Sequence, residues 1–364
     1  MARGPSGAQR SRDSDVTPTT AQRPLDVTVV MFDGGFYSTA IGPIEAFHAA
    51  GRLWHRFHAE PENPRFTVRT ASIDGRMVTS AYSVGLTPQF AIGDIKQTDL
   101  ILLTAPGADE VEGIVRKTSL VPWLQAAHSR GTYIGGVCSG VAFVAETGLL
   151  DGRRATTHWA VAELFKQRYP KVLWQPEHFV TEDGELLCSG GVYASIDLSL
   201  YLVEKFCGHD IALQCAKSLL VGLPRSCQSG YGVTPLSRPH NDGQIKKIED
   251  TLQRNFAKDV SMELLASQIG MSPRNLIRRF KSATGHLPGA YLQLLRVSAA
   301  RELLEGGRAP IQRVSSAIGY EDVAFFRAVF KRHTGMTPVE YRGRFGPIRM
   351  DRGELSTGMP KQAG

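Results

Sequence analysis

Apolar and polar positions change period partway along the chain, and the change separates two regions. From residue 25 to about residue 222, short apolar runs alternate with stretches of helical spacing. Residues 26–32, 66–71 and 133–137 have the length and composition of strands, and residues 100–104 form the continuous apolar run of a buried strand. Residues 43–50 and 120–129 show helical spacing. Strands alternating with helices predict a parallel sheet covered by helices on both faces, an α/β domain of about 200 residues.

From residue 245 to 345 the pattern turns helical and is written twice. Phe280-Lys281, Thr284-Gly285, Pro288 and Tyr291 recur as Phe330-Lys331, Thr334-Gly335, Pro338 and Tyr341, a shift of 50 residues. Upstream, Met262, Leu265, Ala266 and Gly270 align with Ile311, Val314, Ser315 and Gly319 at a shift of 49, so the second copy holds one extra residue at its turn. Two copies of one supersecondary unit is the simplest account. In the first copy, Gly270 ends a helix in the left-handed conformation of a tight turn, and Ser272-Pro273 restarts one with a cap and a proline whose missing N–H costs nothing there. The small Ala266 and Ser315 allow the close crossing that a helix-turn-helix demands. The pattern predicts an all-α region of two helix-turn-helix units, joined by an apolar helix over residues 288–304 that is roughly 25 Å long.

With Leu276 and Phe280 packed inward, Arg274, Ile277 and Arg278 face outward; with Phe326 and Phe330 inward, Val323, Ala324 and Arg327 do. Arginine grips guanine bidentately and small apolar groups touch the thymine methyl, so these faces suit base-edge readout. For a single helix, a merely solvated face is the competing reading; repetition in two units favours readout. Charge points the same way. Residues 245–346 carry 17 Lys and Arg against 9 Asp and Glu, whereas residues 1–244 carry 22 against 24. The positive charge sits where phosphate contacts would be made. The joining helix could hold both units over adjacent major-groove segments, about 34 Å apart.

The two units, the helix between them and the closing Gly335-Met336-Thr337-Pro338-Val339-Glu340-Tyr341-Arg342 closely resemble the AraC/XylS class of bacterial transcription regulators. The resemblance implies promoter DNA as partner, activation through RNA polymerase, and an effector-sensing domain elsewhere in the chain. It also places the class's base-contacting positions at Arg274, Ile277 and Arg278 in the first unit and at Val323, Ala324 and Arg327 in the second.

Length and composition restrict the remaining classes. The chain of 364 residues accommodates two domains, and its longest apolar runs are far short of a membrane-crossing helix. Five cysteines without C-x-x-C spacing fit free thiols in a reducing cytoplasm and argue against a disulfide framework or a zinc site; no metal or cofactor is expected. Residues 1–24 and 347–364 read as disordered tails, the first lacking the apolar stretch of a secretory signal. Residues 230–243, with Pro235, Pro239 and three glycines, read as a linker between a domain over 25–229 and one over 244–346.

One dense chemical signal lies in the first domain. Gly136-Val137-Cys138-Ser139-Gly140 follows a strand and precedes a helix, the form of a nucleophile elbow, and a thiol at a helix N-terminus can be activated as thiolate. Any strand-to-helix turn needs glycines, so Cys138 as an ordinary small residue is the competing reading. With Thr147-Gly148-Leu149-Leu150-Asp151-Gly152 and Thr156-Thr157-His158-Trp159 downstream, the region is similar to the class I glutamine-amidotransferase-like, PfpI-like domain, of flavodoxin-like fold. Such domains occur fused ahead of AraC-type DNA-binding domains. Catalytic relatives, isonitrile hydratases among them, pair the elbow cysteine with a carboxylate at the position of Thr39. Peptidase-like relatives place a histidine at that of Ser139. Threonine cannot serve as acid or base near neutral pH. A Cys138–His158 dyad remains conceivable.

The expected role is therefore a sensor without turnover, with no catalytic residue assigned. Thr39, Cys138, Ser139 and His158 would line a cleft where strands end and helix N-termini converge. The resemblance implies a small effector such as an amino acid or a quaternary amine. Phe36, Tyr37 and Trp159 are the aromatic candidates around a cation, and a homodimer formed through this domain is expected. A cysteine-dependent hydrolase or hydratase, or a redox sensor working through Cys138, is the alternative.

Overall fold

The computed structural model describes residues 23–347 apart from Ala108, Pro224, Ser226 and residues 233–236. The two expected tails, except Arg23, Pro24 and Pro347, lie outside the described residues, as does part of the expected linker.

The first region contains β1 (Leu25–Val30), β2 (Phe66–Ser72), the hairpin of β3 (Val78–Thr79) and β4 (Gly85–Leu86), β5 (Phe90–Ala91), β6 (Leu100–Leu103) and β7 (Tyr133–Val137). A small pair, β8 (Arg154–Ala155) and β9 (Leu173–Trp174), precedes β10 (Val180–Asp183) and β11 (Leu186–Ser189). Seven strands form one sheet in the order β10-β11-β7-β6-β1-β2-β5, parallel except for β10 against β11. Its central strands are apolar on both sides because helices cover both faces. Val30, Ile101, Leu103 and Ile134 enter one core with Phe143, while Val29, Leu100 and Leu102 enter the other with Phe47 and Leu198.

The first helix runs from Ser38 to Ala49 with Pro43 inside it, five residues earlier than the expected start. Tyr37 accepts the first-turn bonds, from Ala40 and Ile41. Thr39, expected in a loop, is in the first turn of a helix and fully buried.

The second region is all-helical among its described residues. Gly243–Asn255 leads into Met262–Gln268 and Pro273–Thr284, then Pro288–Gly306, then Ile311–Ala317, Val323–Thr334 and Pro338–Phe345. Each helix-turn-helix closes on the same small residue, Met271 N–H donating to Ala266 and Tyr320 N–H to Ser315. Tyr291 and Leu295 of the long helix fill the core of the first unit; Val297, Ala300 and Leu304 fill that of the second. Arg296, between these two sets, donates from Nε to Phe256 O at 2.7 Å and from Nη2 to Lys258 O at 3.1 Å, and stacks on Tyr320 at 4.9 Å.

The equivalent turn glycines differ in what surrounds them. Gly270 has φ +65° with open space where a Cβ would go, whereas at Gly319, φ +85°, a Cβ would lie 2.3 Å from Ala257 O. Left-handed strain alone predicts a loss of about 1–2 kcal/mol for Gly270→Ala. Added overpacking raises the loss for Gly319→Ala to about 3 kcal/mol or more. Urea unfolding of the two variants should order them this way; equal losses would contradict the packing at Ala257.

Candidate nucleic-acid interface and ligand cleft

The helices Pro273–Thr284 and Val323–Thr334 have the same length, 12 residues, and matching ends. Ser272 accepts from Asn275 N–H at 3.4 Å, and Asp322 accepts from Ala324 N–H at 2.7 Å and Phe325 N–H at 3.2 Å. Gly285 and Gly335 close both helices in the left-handed conformation. Leu276, Phe280 and Thr284 are buried in one, Phe326, Phe330 and Thr334 in the other. The outward faces follow from that burial: Arg274, Ile277 and Arg278 are exposed, as are Ala324 and Arg327, while Val323 is half-buried.

Identical helix lengths make the 50-residue shift continuous through both helices. In that register Arg274, Ile277 and Arg278 correspond to Ala324, Arg327 and Ala328, and Val323 corresponds to Pro273. Two outward positions were missed from sequence. Asn275 accepts from Arg278 Nη2 at 3.0 Å, and its equivalent Phe325 is 50% exposed, edge-on to Tyr320. An exposed phenylalanine is hidden in an apolar pattern, but carrying the shift through the whole helix would have found it.

In the first domain, Cys138 sits at φ +55°, a left-handed non-glycine residue at the end of β7. The flanking glycines are packing requirements. A Cβ at Gly136 would lie 2.6 Å from Val141 Cα, and one at Gly140 would lie 2.5 Å from Thr104 O. The helix Val141–Glu146 therefore lies directly on the sheet. Burial pushes the Cys138 thiol up to about 11, against the opposing effect of hydrogen bonding to Ser139. Among the described residues, Cys138 has no hydrogen bond to a histidine or carboxylate.

Of the other residues expected at this cleft, Ser139 adjoins Cys138 and the His158 loop reaches it through Thr157, and the polar atoms of Thr39, Ser139 and His158 are bonded to backbone. Thr39 Oγ1 donates to Phe36 O at 2.6 Å and accepts from Ala105 N–H at 3.2 Å. Ser139 Oγ donates to Pro106 O, and Thr157 Oγ1 donates to Cys138 O at 2.8 Å. His158 Nδ1 accepts from Ala160 N–H at 3.1 Å, its ring lies over Gly191, and burial holds the imidazole below its usual value. It is thus a neutral ring with the other nitrogen protonated. Of the aromatic candidates, Tyr37 is buried with its hydroxyl on Val78 O, and Trp159 packs against Gly232. Phe36 is exposed beside Tyr82, centroids 6.5 Å apart. Among the described residues no group of three His, Cys, Asp or Glu is placed to hold a metal, and all five cysteines are free.

The end of the first domain and the start of the expected linker are bonded to both regions. Gln228 donates from N–H to Glu177 O at 2.7 Å and from Nε2 to Thr157 O at 2.8 Å and His178 O at 3.0 Å. On the other side, Arg301 of the long helix donates to Gly232 O at 2.6 Å and Ser229 O at 2.9 Å. Tyr231 lies between Phe179 and Phe345, at 5.5 and 4.9 Å. Residues 227–232 form a strap, running from the segment beside Cys138 to the last DNA-binding-type helix.

The two regions match known families in the order the geometry suggests. Residues 27–205 match the DJ-1/PfpI family and residues 265–344 the helix-turn-helix domain family. The HTH-type transcriptional regulator CdhR of Pseudomonas aeruginosa is 28% identical over 292 residues, covering 80% of this chain and 84% of that one. The isonitrile hydratase of Pseudomonas putida is 32% identical over 136 residues, covering 37% of this chain and 57% of the enzyme. The HTH-type transcriptional regulator GlxA of Rhizobium meliloti is 31% identical over 223 residues, covering 59% of this chain and 67% of that regulator. Two outward-facing recognition helices behind a DJ-1/PfpI domain, shared with such regulators, make this chain a member of the AraC-type family of helix-turn-helix transcriptional regulators.

Proposed function

We propose that this regulator binds promoter DNA through Arg274, Ile277 and Arg278 on one recognition helix and Ala324 and Arg327 on the other, with Val323 at the rim. Its DJ-1/PfpI domain then sets the response to a small metabolite without turning it over. The observation that carries the reading is the pair of equally capped helices whose inner faces are buried and whose outer faces are open. It works in the cytoplasm as a homodimer and activates by touching RNA polymerase. The effector is a small nitrogenous metabolite, an amino acid or quaternary amine. The exposed pair Phe36 and Tyr82 offers aromatic faces for a cationic group.

Absence of turnover follows from chemistry at the elbow. A hydration or hydrolysis needs a thiolate or a proton carrier near neutral pH. Cys138 stays protonated, Thr39 cannot carry a proton, and His158 already accepts an N–H from its own loop. The strap gives the effector a path to the DNA-binding domain, because Gln228 holds Thr157, next to His158, while Arg301 holds Ser229 and Gly232.

Three outcomes are expected. Replacing Arg278 and Arg327 together by Ala should weaken binding to a selected promoter fragment by about 100-fold, since each base-reading arginine contributes roughly 1–3 kcal/mol. It should also flatten the salt dependence in fluorescence anisotropy; undiminished binding would refute these reading faces. Alkylation of Cys138 should rise with pH to a midpoint near pH 11, and Cys138→Ala should keep its promoter response. A midpoint near neutrality, or isonitrile turnover lost in that variant, would instead make the domain an enzyme. Arg301→Met should expose residues 227–232 to limited proteolysis while both domains stay folded; unchanged cleavage would mean that Arg301 does not hold the strap.

A further inference from the structure

A cavity of about 350 Å³ opens at the junction of the two domains, away from both Cys138 and the recognition helices. Tyr193, Ile196 and Leu223 wall it on the DJ-1/PfpI side, Arg344 of Pro338–Phe345 on the other, with Arg225 and Tyr231 between. Its two arginines are unequally paired. Arg225 is engaged at all three nitrogens, donating to the Asp197 carboxylate from Nε at 3.2 Å and Nη2 at 2.7 Å, and to Tyr231 Oη from Nη1 at 2.9 Å. Arg344 Nη1 donates to that same phenolic oxygen at 3.0 Å, and Arg344 has no ion pair among the described residues. Two guanidinium groups thus converge on one neutral oxygen; Asp197 is hydrogen-bonded to Arg225, while Glu340, one turn before Arg344, is held by Thr337 at the start of their helix.

The phenol makes the imbalance directional. A tyrosine hydroxyl has two lone pairs and one hydrogen. Both lone pairs are taken by the arginines, so the O–H must donate outward, and among the described residues nothing accepts it. Arg344 likewise keeps Nε–H and Nη2–H available. Beside these donors lies apolar surface: Ile196, Leu223, and the ring of Tyr193, which is 68% exposed.

We propose that this junction binds a small organic monoanion, a carboxylate with an apolar or aromatic body. The carboxylate accepts from Tyr231 O–H and from Arg344, and the body lies against Tyr193, Ile196 and Leu223. One guanidinium with no carboxylate hydrogen-bonded to it among the described residues matches a monocarboxylate better than a phosphate monoester carrying two negative charges. Because Arg344 belongs to the last DNA-binding-domain helix and the apolar wall to the DJ-1/PfpI side, the bound anion fastens one domain to the other.

The test is isothermal titration of the full chain with phenylacetate and hexanoate, their neutral amides, and phenyl phosphate. Both carboxylates should bind, and the amides should bind at least tenfold more weakly. Arg344→Gln, at an exposed side chain, should weaken the carboxylates at least tenfold without changing the thermal melt. Tyr193→Ala should weaken phenylacetate severalfold and serves should Arg344→Gln fail to fold. Amides binding as well as carboxylates, phenyl phosphate binding more tightly, no carboxylate binding at millimolar concentration, or unchanged affinity in both variants would each overturn the proposal. Promoter binding by the same samples separates the two readings, because a chain that binds DNA but no carboxylate loses only this site.

Discussion

The helix Pro288–Gly306 belongs to two cores at once, and that shared burial sets how the recognition helices stand to one another. Tyr291 and Leu295 are held in the first core, Val297, Ala300 and Leu304 in the second. The leucines and the valine among them contribute roughly 1.5–3 kcal/mol each when fully buried, so rotating the helix would empty both cores together. Its 19 residues make a rod of about 28 Å, comparable to the roughly 34 Å repeat of the double helix. Arg296 reinforces the rod from its side by holding the Phe256–Lys258 turn, the same turn that leaves no room beside Gly319. Spacing of the two outward helix faces is therefore a packing property, whatever residues the faces carry.

The shape of the elbow is a packing requirement that is independent of what its cysteine does. Gly136 and Gly140 are required because Val141 and the Thr104 carbonyl press against them, and this holds whether or not the cysteine reacts. The strained backbone at Cys138 survives with them. What a reaction would need in addition is a proton carrier, and the neighbouring hydroxyls and imidazole are bonded to backbone atoms. A group so engaged serves the shape of its loop. Through Thr157 and Gln228 that loop is tied to the strap, so a change at the cleft has a short, hydrogen-bonded route to Arg301.

Most of the architecture was legible because it rests on period and repetition. The apolar run at β6 and the strand at β7 read correctly, and the repeated Phe-Lys, Thr-Gly and Pro positions located both recognition helices. Local rules failed where two of them competed. Helical spacing begins at Pro43, yet the helix begins at Ser38, which puts Thr39, expected to line a cleft, in a buried helical turn. Phe325 failed for a different reason: composition marks it as core, whereas the helix face it occupies is open.

By itself, the sequence determined the two families of fold, their order, the concentration of positive charge in the second domain and the inward set of each recognition helix. All of these depend on spacing along the chain, which short-range geometry translates directly. Only the tertiary structure decided that the hydroxyls of Thr39 and Ser139 turn inward, that residues 227–232 are bonded to both domains, and that Arg225 and Arg344 meet at one tyrosine oxygen. Those facts join residues up to 113 positions apart, and the partner of a hydrogen bond across such a distance is chosen by the packing of whole domains.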